Sequence, residues 1–217
     1  WHDQTVLNCL NQMVNTIHDE ETLVERLSQL SAAPDTELGS HAMWVGQASE
    51  KVALALGLAA PQARLIGLAA RLHDFGKMAV PRKILCKKGK LTPLERKIMC
   101  THTTVGWSLL ERYSGLRHHD LLKLAAQVAL THHESWDGSG YPRSLKQKQI
   151  PLAGRIVRVV DAFDALVSER SYKEAWPVET VLNHLKEHAA QCFDPEVVEV
   201  LIKLYEVEMI VPRRIWE

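Results

Sequence analysis

Apolar residues recur along this chain at intervals of three and four, and no sustained alternation of apolar and polar positions interrupts them. From Val6 to Leu30 the stripe runs through Leu10, Met13, Val14, Ile17, Leu23 and Leu27, which is a helical period. After Ser31-Ala32-Ala33-Pro34 the pattern becomes a succession of capped helices. Asp35 stands as the N-cap of a helix that continues towards Leu56, and Pro61 suits the first turn of the next, where Leu65, Leu68, Ala69 and Leu72 share a face. Thr92-Pro93-Leu94-Glu95 has the form of a capping box and opens a helix through Ile98, His102, Val105 and Leu109. A further helix is expected from about His119 to His133. Another carries Ile156, Val157, Val159 and Val160, and two more follow Trp176-Pro177 and Asp194-Pro195. The pattern predicts an all-α fold.

Residues 1–34 read as an N-terminal helical segment or a linker from an upstream sensory or receiver domain, and residues 35–217 as the main domain. The N-terminal stripe is expected to pack on that domain, with a helical homodimer as the alternative. The chain has 217 residues, 46% of them hydrophobic, enough for one good core. Lys plus Arg equals Asp plus Glu at 26 each, so no overall field favours duplex nucleic acid or an anionic membrane, and anion binding must be local. Cys9, Cys86, Cys100 and Cys192 are scattered without a C-x-x-C pair, which suits reduced thiols. No run approaches the ~20 apolar residues of a membrane span, and no signal-peptide pattern opens the chain. The expected location is the bacterial cytoplasm, alone or as the cytosolic part of a longer protein.

The helices carry a recurring set of metal-ligand residue types: His41, His73-Asp74, His102, His132-His133 and Asp161. Their spacing of roughly thirty residues fits one helix plus a connection, so an antiparallel bundle can bring them to one interior level. A lone histidine pair is ordinarily a cap or a half-buried residue with one hydrogen bond; the repetition changes that balance. Glu37 and His41 lie four apart, on one helical face. Lys77 follows Asp74 by three positions and in a continuing helical turn faces the same way, either solvated or set to stabilise or protonate a leaving oxygen. His2, His18, His118, His119, His184 and His188 are assigned to the surface.

This ordered set resembles the HD-GYP domain, a branch of the HD phosphohydrolase superfamily, with matches from about Glu37 to Pro195. The features that carry it are Glu37 with His41, the run His73-Asp74-Phe75-Gly76-Lys77, and Lys90-Leu91-Thr92-Pro93 followed by His102. The complete run from His132 to Gly140-Tyr141-Pro142 and the stretch from Val160-Asp161 to Arg170-Ser171-Tyr172-Lys173 complete it. The resemblance implies a helical bundle around a polynuclear metal site. It implies hydrolysis of cyclic di-GMP to linear pGpG, and in some members onward to GMP, by a metal-bridging hydroxide. Asp74 would bridge two ions, with His73 and Asp161 on one and His102, His132 and His133 on the other. Glu37 and His41 would serve a third. Mixed imidazole and carboxylate donors suit iron, or manganese, better than a closed thiolate zinc site.

The resemblance gives Lys77 a general-acid role alongside Asp74, and sets Arg170 and Lys173 over the phosphates or guanines. Tyr141 and Asp164 are assigned to substrate contact. Ser171 stands where many relatives have proline. Two other functions stay open: a phosphodiesterase for another cyclic dinucleotide such as cyclic GMP-AMP, and a non-catalytic signalling module acting through partners such as diguanylate cyclases.

Overall fold

The computed structural model describes residues 4–32, 36–115, 118–168 and 175–213, with the side chains of residues 4–6, 32, 36–39 and 119 outside that description. The chain there is helical, as its apolar period predicts. In order come α1 (Gln4–Thr16), α2 (Glu20–Ala32), α3 (Thr36–Ala55), α4 (Ala60–Ala70), a 3-10 turn over Phe75–Ala79, the short α5 (Arg82–Leu85) and α6 (Pro93–Ser114). Then follow α7 (His119–Thr131), α8 (Leu152–Val167), α9 (Val178–Glu187) and α10 (Pro195–Glu206). Among the described residues no strand forms, apart from an isolated bridge between Ala189 and Phe193. None of their helices is long and apolar enough to cross a membrane.

Local chemistry sets the helix starts. Thr92 Oγ1 accepts from Glu95 N at 3.3 Å while Glu95 Oε2 accepts from Thr92 N at 2.7 Å, the reciprocal box expected for α6. Pro61, Pro93 and Pro195 occupy first turns, where a missing N–H costs nothing. Asp194 caps α10 by accepting from Glu196 N at 3.0 Å, and its other oxygen holds Arg155 of α8 at 2.5 Å. The cap expected at Asp35 lies outside the described residues.

α8 runs through the middle of the bundle. Ile156, Val157, Val159, Val160, Phe163 and Val167 are fully buried, each such side chain stabilising the fold by about 1.5–3 kcal/mol relative to exposure. Leu10 and Val14 of α1 and Leu23, Val24 and Leu27 of α2 belong to the same core, so the N-terminal stripe packs on the body of the chain. Tyr113 Oη donates to Leu7 O at 3.1 Å, and His118 Nε2 lies 2.8 Å from Ile17 O. His118 is thus half-buried and tied to the α1–α2 connection, unlike its surface assignment. The boundary expected near residue 34 falls among residues outside the description.

Two contacts position the centre of the molecule. A Cβ on Gly76 would stand 2.0 Å from His102 O, so the turn after His73-Asp74 sits directly on the backbone of α6. At the other end of the chain, Val211 O accepts from Trp44 Nε1 at 2.9 Å and Met209 O from Lys51 Nζ at 2.7 Å. Residues 209–213 therefore lie along α3, behind His41.

Candidate metal centre

Each candidate donor sits where a helix meets the interior. His41 comes from α3, His102 from α6 and Asp161 from α8. His73 and Asp74 lie in the turn after α4, and His132 is the C-cap of α7 with His133 next. His41, His73, His102 and His132 are 6%, 1%, 1% and 0% exposed. The acceptor facing each Nδ1 is local in three cases: Ala70 O for His73 at 2.8 Å, Met99 O for His102 at 2.8 Å and Ala129 O for His132 at 3.0 Å. These are carbonyls one turn back along the chain. For His41 the acceptor is Asp164 Oδ2 at 2.7 Å. For His73, His102 and His132 the carbonyl keeps the proton on Nδ1 and turns the Nε2 lone pair towards the interior.

The donors fall into two sets, Asp74 with His102, His132 and His133, and His41 with His73 and Asp161; within each, one ligand atom per residue lies within 4.8 Å of all the others. Asp74 joins them: its Oδ1 is 3.4 Å from His102 Nε2 and its Oδ2 is 3.2 Å from His73 Nε2. His41 Nε2 is 3.3 Å from Asp161 Oδ1. Three details fit cations at this place. His73 Nε2 and Asp74 Oδ1 are buried without a hydrogen-bond partner. His102 Nε2 and His132 Nε2 face each other at 3.3 Å, where two lone pairs repel unless a positive charge lies between them.

Electrostatics differ across the centre. Burial lowers His102 to about 4 against the opposing pull of Asp74, and burial likewise depresses His132 and His133. His41 behaves oppositely: burial disfavours its charge, but Asp161 and Asp164 raise it to about 9. Burial would also raise the two ligand carboxyls. Lys77 and His73 instead hold Asp74 well below the usual carboxylate range, and His41 and His73 do so for Asp161.

The remaining sequence expectations land differently. Lys77 reaches the centre from a 3-10 turn instead of a continuing α-helix, with Nζ 2.5 Å from Asp74 Oδ2. Tyr141 stacks on His133, ring centroids 4.9 Å apart, in a loop with a cis Tyr141-Pro142 bond. Asp164, expected at the substrate, is instead fully buried: three residues after Asp161 on the enclosed α8, it meets the opposite nitrogen of the same His41 ring, where Ser168 and Arg213 also approach it. Arg170, Lys173 and the side chain of Glu37 lie outside the described residues.

Two residues escaped the sequence reading. Glu134, 1% exposed, accepts from Arg143 N at 2.7 Å and Leu145 N at 3.0 Å and so shapes the loop after the histidine pair. Arg71 lines the cleft beside His41 and Lys77. Its place two residues before His73 was the available signal.

A helical bundle that buries a His-Asp doublet among further histidines defines the class of HD-type metal-binding domains. Residues 11–197 match the family model described as HD domain, and the chain belongs to that family. It is 44% identical over 182 residues to the Thermotoga maritima protein named cyclic di-GMP phosphodiesterase, covering 84% of this chain and 48% of that one. It is 39% identical over 197 residues to the 3'3'-cGAMP-specific phosphodiesterase 2 of Vibrio cholerae, covering 91% of this chain and 37% of that one. The chain thus spans half or less of these curated relatives. An HDG"Y"P protein from Bdellovibrio bacteriovorus shares the fold, with a TM-score of 0.63 at 15% identity, over 91% of this chain and 68% of that structure.

Proposed function

We propose that this domain is a metal-dependent phosphodiesterase that hydrolyses cyclic di-GMP to the linear dinucleotide. The observation that carries the reading is the pair of donor sets joined by Asp74, with His73 Nε2 and Asp74 Oδ1 buried between them without a hydrogen-bond partner. The relative named cyclic di-GMP phosphodiesterase supports the substrate. A phosphodiester is a poor electrophile, and a pair of bound divalent ions supplies an activated water and neutralises charge on the phosphoryl oxygens. His102, His132 and His133 with Asp74 would hold one ion, and His41, His73 and Asp161 with Asp74 the other. The mixed nitrogen and oxygen donors favour iron, with manganese as the alternative.

The chain's own residues complete the chemistry. Lys77 Nζ, held at Asp74, is placed to deliver a proton to the leaving ribose oxygen. Asp164 keeps the His41 proton on Nδ1, which leaves Nε2 as its single donor. That one donor serves either the second ion or a third shared with Glu37, and the metal count of Glu37→Ala distinguishes the two. Arg170 and Lys173 would recognise the dinucleotide.

The second reading, a preference for cyclic GMP-AMP, draws on the 39% identical Vibrio cholerae relative of that specificity. Both are tested by a product time course with the two cyclic dinucleotides, on protein purified anaerobically and loaded in parallel with Fe(II) and Mn(II). Cleavage that is lost in His73→Ala/Asp74→Ala supports the enzyme and ranks its substrates. Confirmed metal occupancy without cleavage of either would sink it in favour of a signalling module.

A further inference from the structure

Beside the donor sets, α2, α3 and the end of α4 enclose a cleft walled by Ser28, Ser31, Arg71 and Lys77, with the His73-Asp74 doublet at its inner end. Arg71 is the member without an explanation. Its side chain is only 6% exposed, and its stem lies over Gly46, where a Cβ would stand 2.5 Å from Arg71 Cγ. The glycine makes room for it. Nε is buried and has no hydrogen-bond partner. Glu21 Oε1 lies 3.4 Å from Nη1, at the limit of a hydrogen bond, and the same carboxylate is 3.3 Å from Arg64 Nη2. One carboxylate, more than half exposed, therefore faces two guanidinium groups and neutralises at most one of them.

Burying a guanidinium with an open N–H is unfavourable unless an acceptor completes it. An anionic oxygen suits that fork better than a neutral group does. A cyclic dinucleotide carries two phosphodiesters on one ring. If one sits at the ions, the other must be met by the surrounding walls. Ser28 Oγ donates to Arg71 O at 3.3 Å, so α2 is in direct contact with this residue.

We infer that Arg71 is a phosphate-binding residue, resting on the phosphodiesterase reading above: its guanidinium holds a non-bridging oxygen of the phosphodiester that is not being cleaved. The cleft wall formed with α2 is then part of the substrate site. Arg71 binds and takes no part in bond breaking.

The test is equilibrium binding of a bis-phosphorothioate analogue of cyclic di-GMP, with KM and kcat for cyclic di-GMP, in metal-loaded wild type, Arg71→Gln, Arg71→Lys and Glu21→Gln. Arg71→Gln is expected to weaken binding and raise KM about ten- to a hundredfold, while kcat changes less than about threefold. Arg71→Lys, which keeps the charge and loses the fork, falls between, roughly three- to tenfold weaker. Glu21→Gln binds as tightly as wild type or more so, because it frees the guanidinium.

Unaltered affinity in Arg71→Gln overturns the inference. Equal weakening in Glu21→Gln and Arg71→Gln also overturns it, by assigning Arg71 to the attachment of α2. If Arg71→Gln does not fold, unaltered affinity in Arg71→Lys overturns it instead. Wild type that binds the analogue but releases no product removes the enzymatic reading and leaves this comparison intact. Wild type that binds no analogue removes both.

Discussion

His102, His132 and His133 share one carboxylate, Asp74, whereas His41 stands between two, Asp161 and Asp164. The first half of the centre is rich in imidazole and pushed by burial to proton-free rings. The second keeps a proton on His41 well into the alkaline range. An ion entering the first half finds lone pairs ready, while one entering the second must displace a proton. Uptake at the two positions should therefore respond differently to pH and to mutation. One fold thus builds two kinds of site from the same residue types, by how many carboxylates stand around each ring.

The largest break in this contrast comes from His132→Ala. Loss of a ligand in the imidazole-rich half should remove its ion and lower turnover on the order of a thousandfold or more. Elemental analysis should show roughly half the metal of wild type, and retention of both ions would contradict the division into halves. Lys77→Ala comes next, with turnover lower by about a hundredfold and metal content unchanged. Equal loss of metal and turnover would make Lys77 a support for Asp74 only.

Asp164→Asn addresses the second half alone. Affinity for the ion at His41 should drop ten- to a hundredfold, as expected when a ligating histidine loses its carboxylate, and the tighter of two phases in a metal titration should persist. A drop at both phases would merge the halves.

In metal-stripped protein the contrast becomes a stability profile. His102 falls from 6.5 to about 4 on folding, so the unfolded chain takes the proton first. Its contribution is whole above pH 6.5 and declines by about 1.4 kcal/mol per pH unit as pH drops from there towards 4. His41 rises from 6.5 to about 9, so its contribution is whole below 6.5 and is lost as pH climbs through about 9. Melting temperature should therefore decline on both sides of neutrality, and Asp164→Asn should shrink the alkaline decline only. The smallest effect is Tyr141→Leu, which removes the ring stacked on His133 and should change KM or kcat a few-fold, in line with about 0.5–1.5 kcal/mol for an aromatic contact.

The helices and the order of donors were legible because both follow local rules. Thr92 to Glu95 forms its box whatever surrounds it, and donors one helix and one connection apart return to the same level of a bundle. Asp164 was not legible in the same way. It is three residues from Asp161 on a helix enclosed on nearly every side, so helical spacing alone does not tell which neighbour of a ligand faces the pocket and which faces the core. Arg71 and Glu134 owe their settings to contacts outside their own helical turns, Gly46 and Glu21 for one and the main chain at residues 143 and 145 for the other. Lys77 lies on a 3-10 turn because Gly76 is pressed against α6, a tertiary contact that overrides helical continuation.

That same pressing of Gly76 onto the carbonyl of His102 acts as a spacer block. The separation between the doublet and the histidines of α6 is set by main chain against main chain, before any ion arrives to draw the ligands together. A site gauged in this way is a ruler: it would accept ions that match an interval already cut into the backbone, and a single methyl group at position 76 would lengthen the interval.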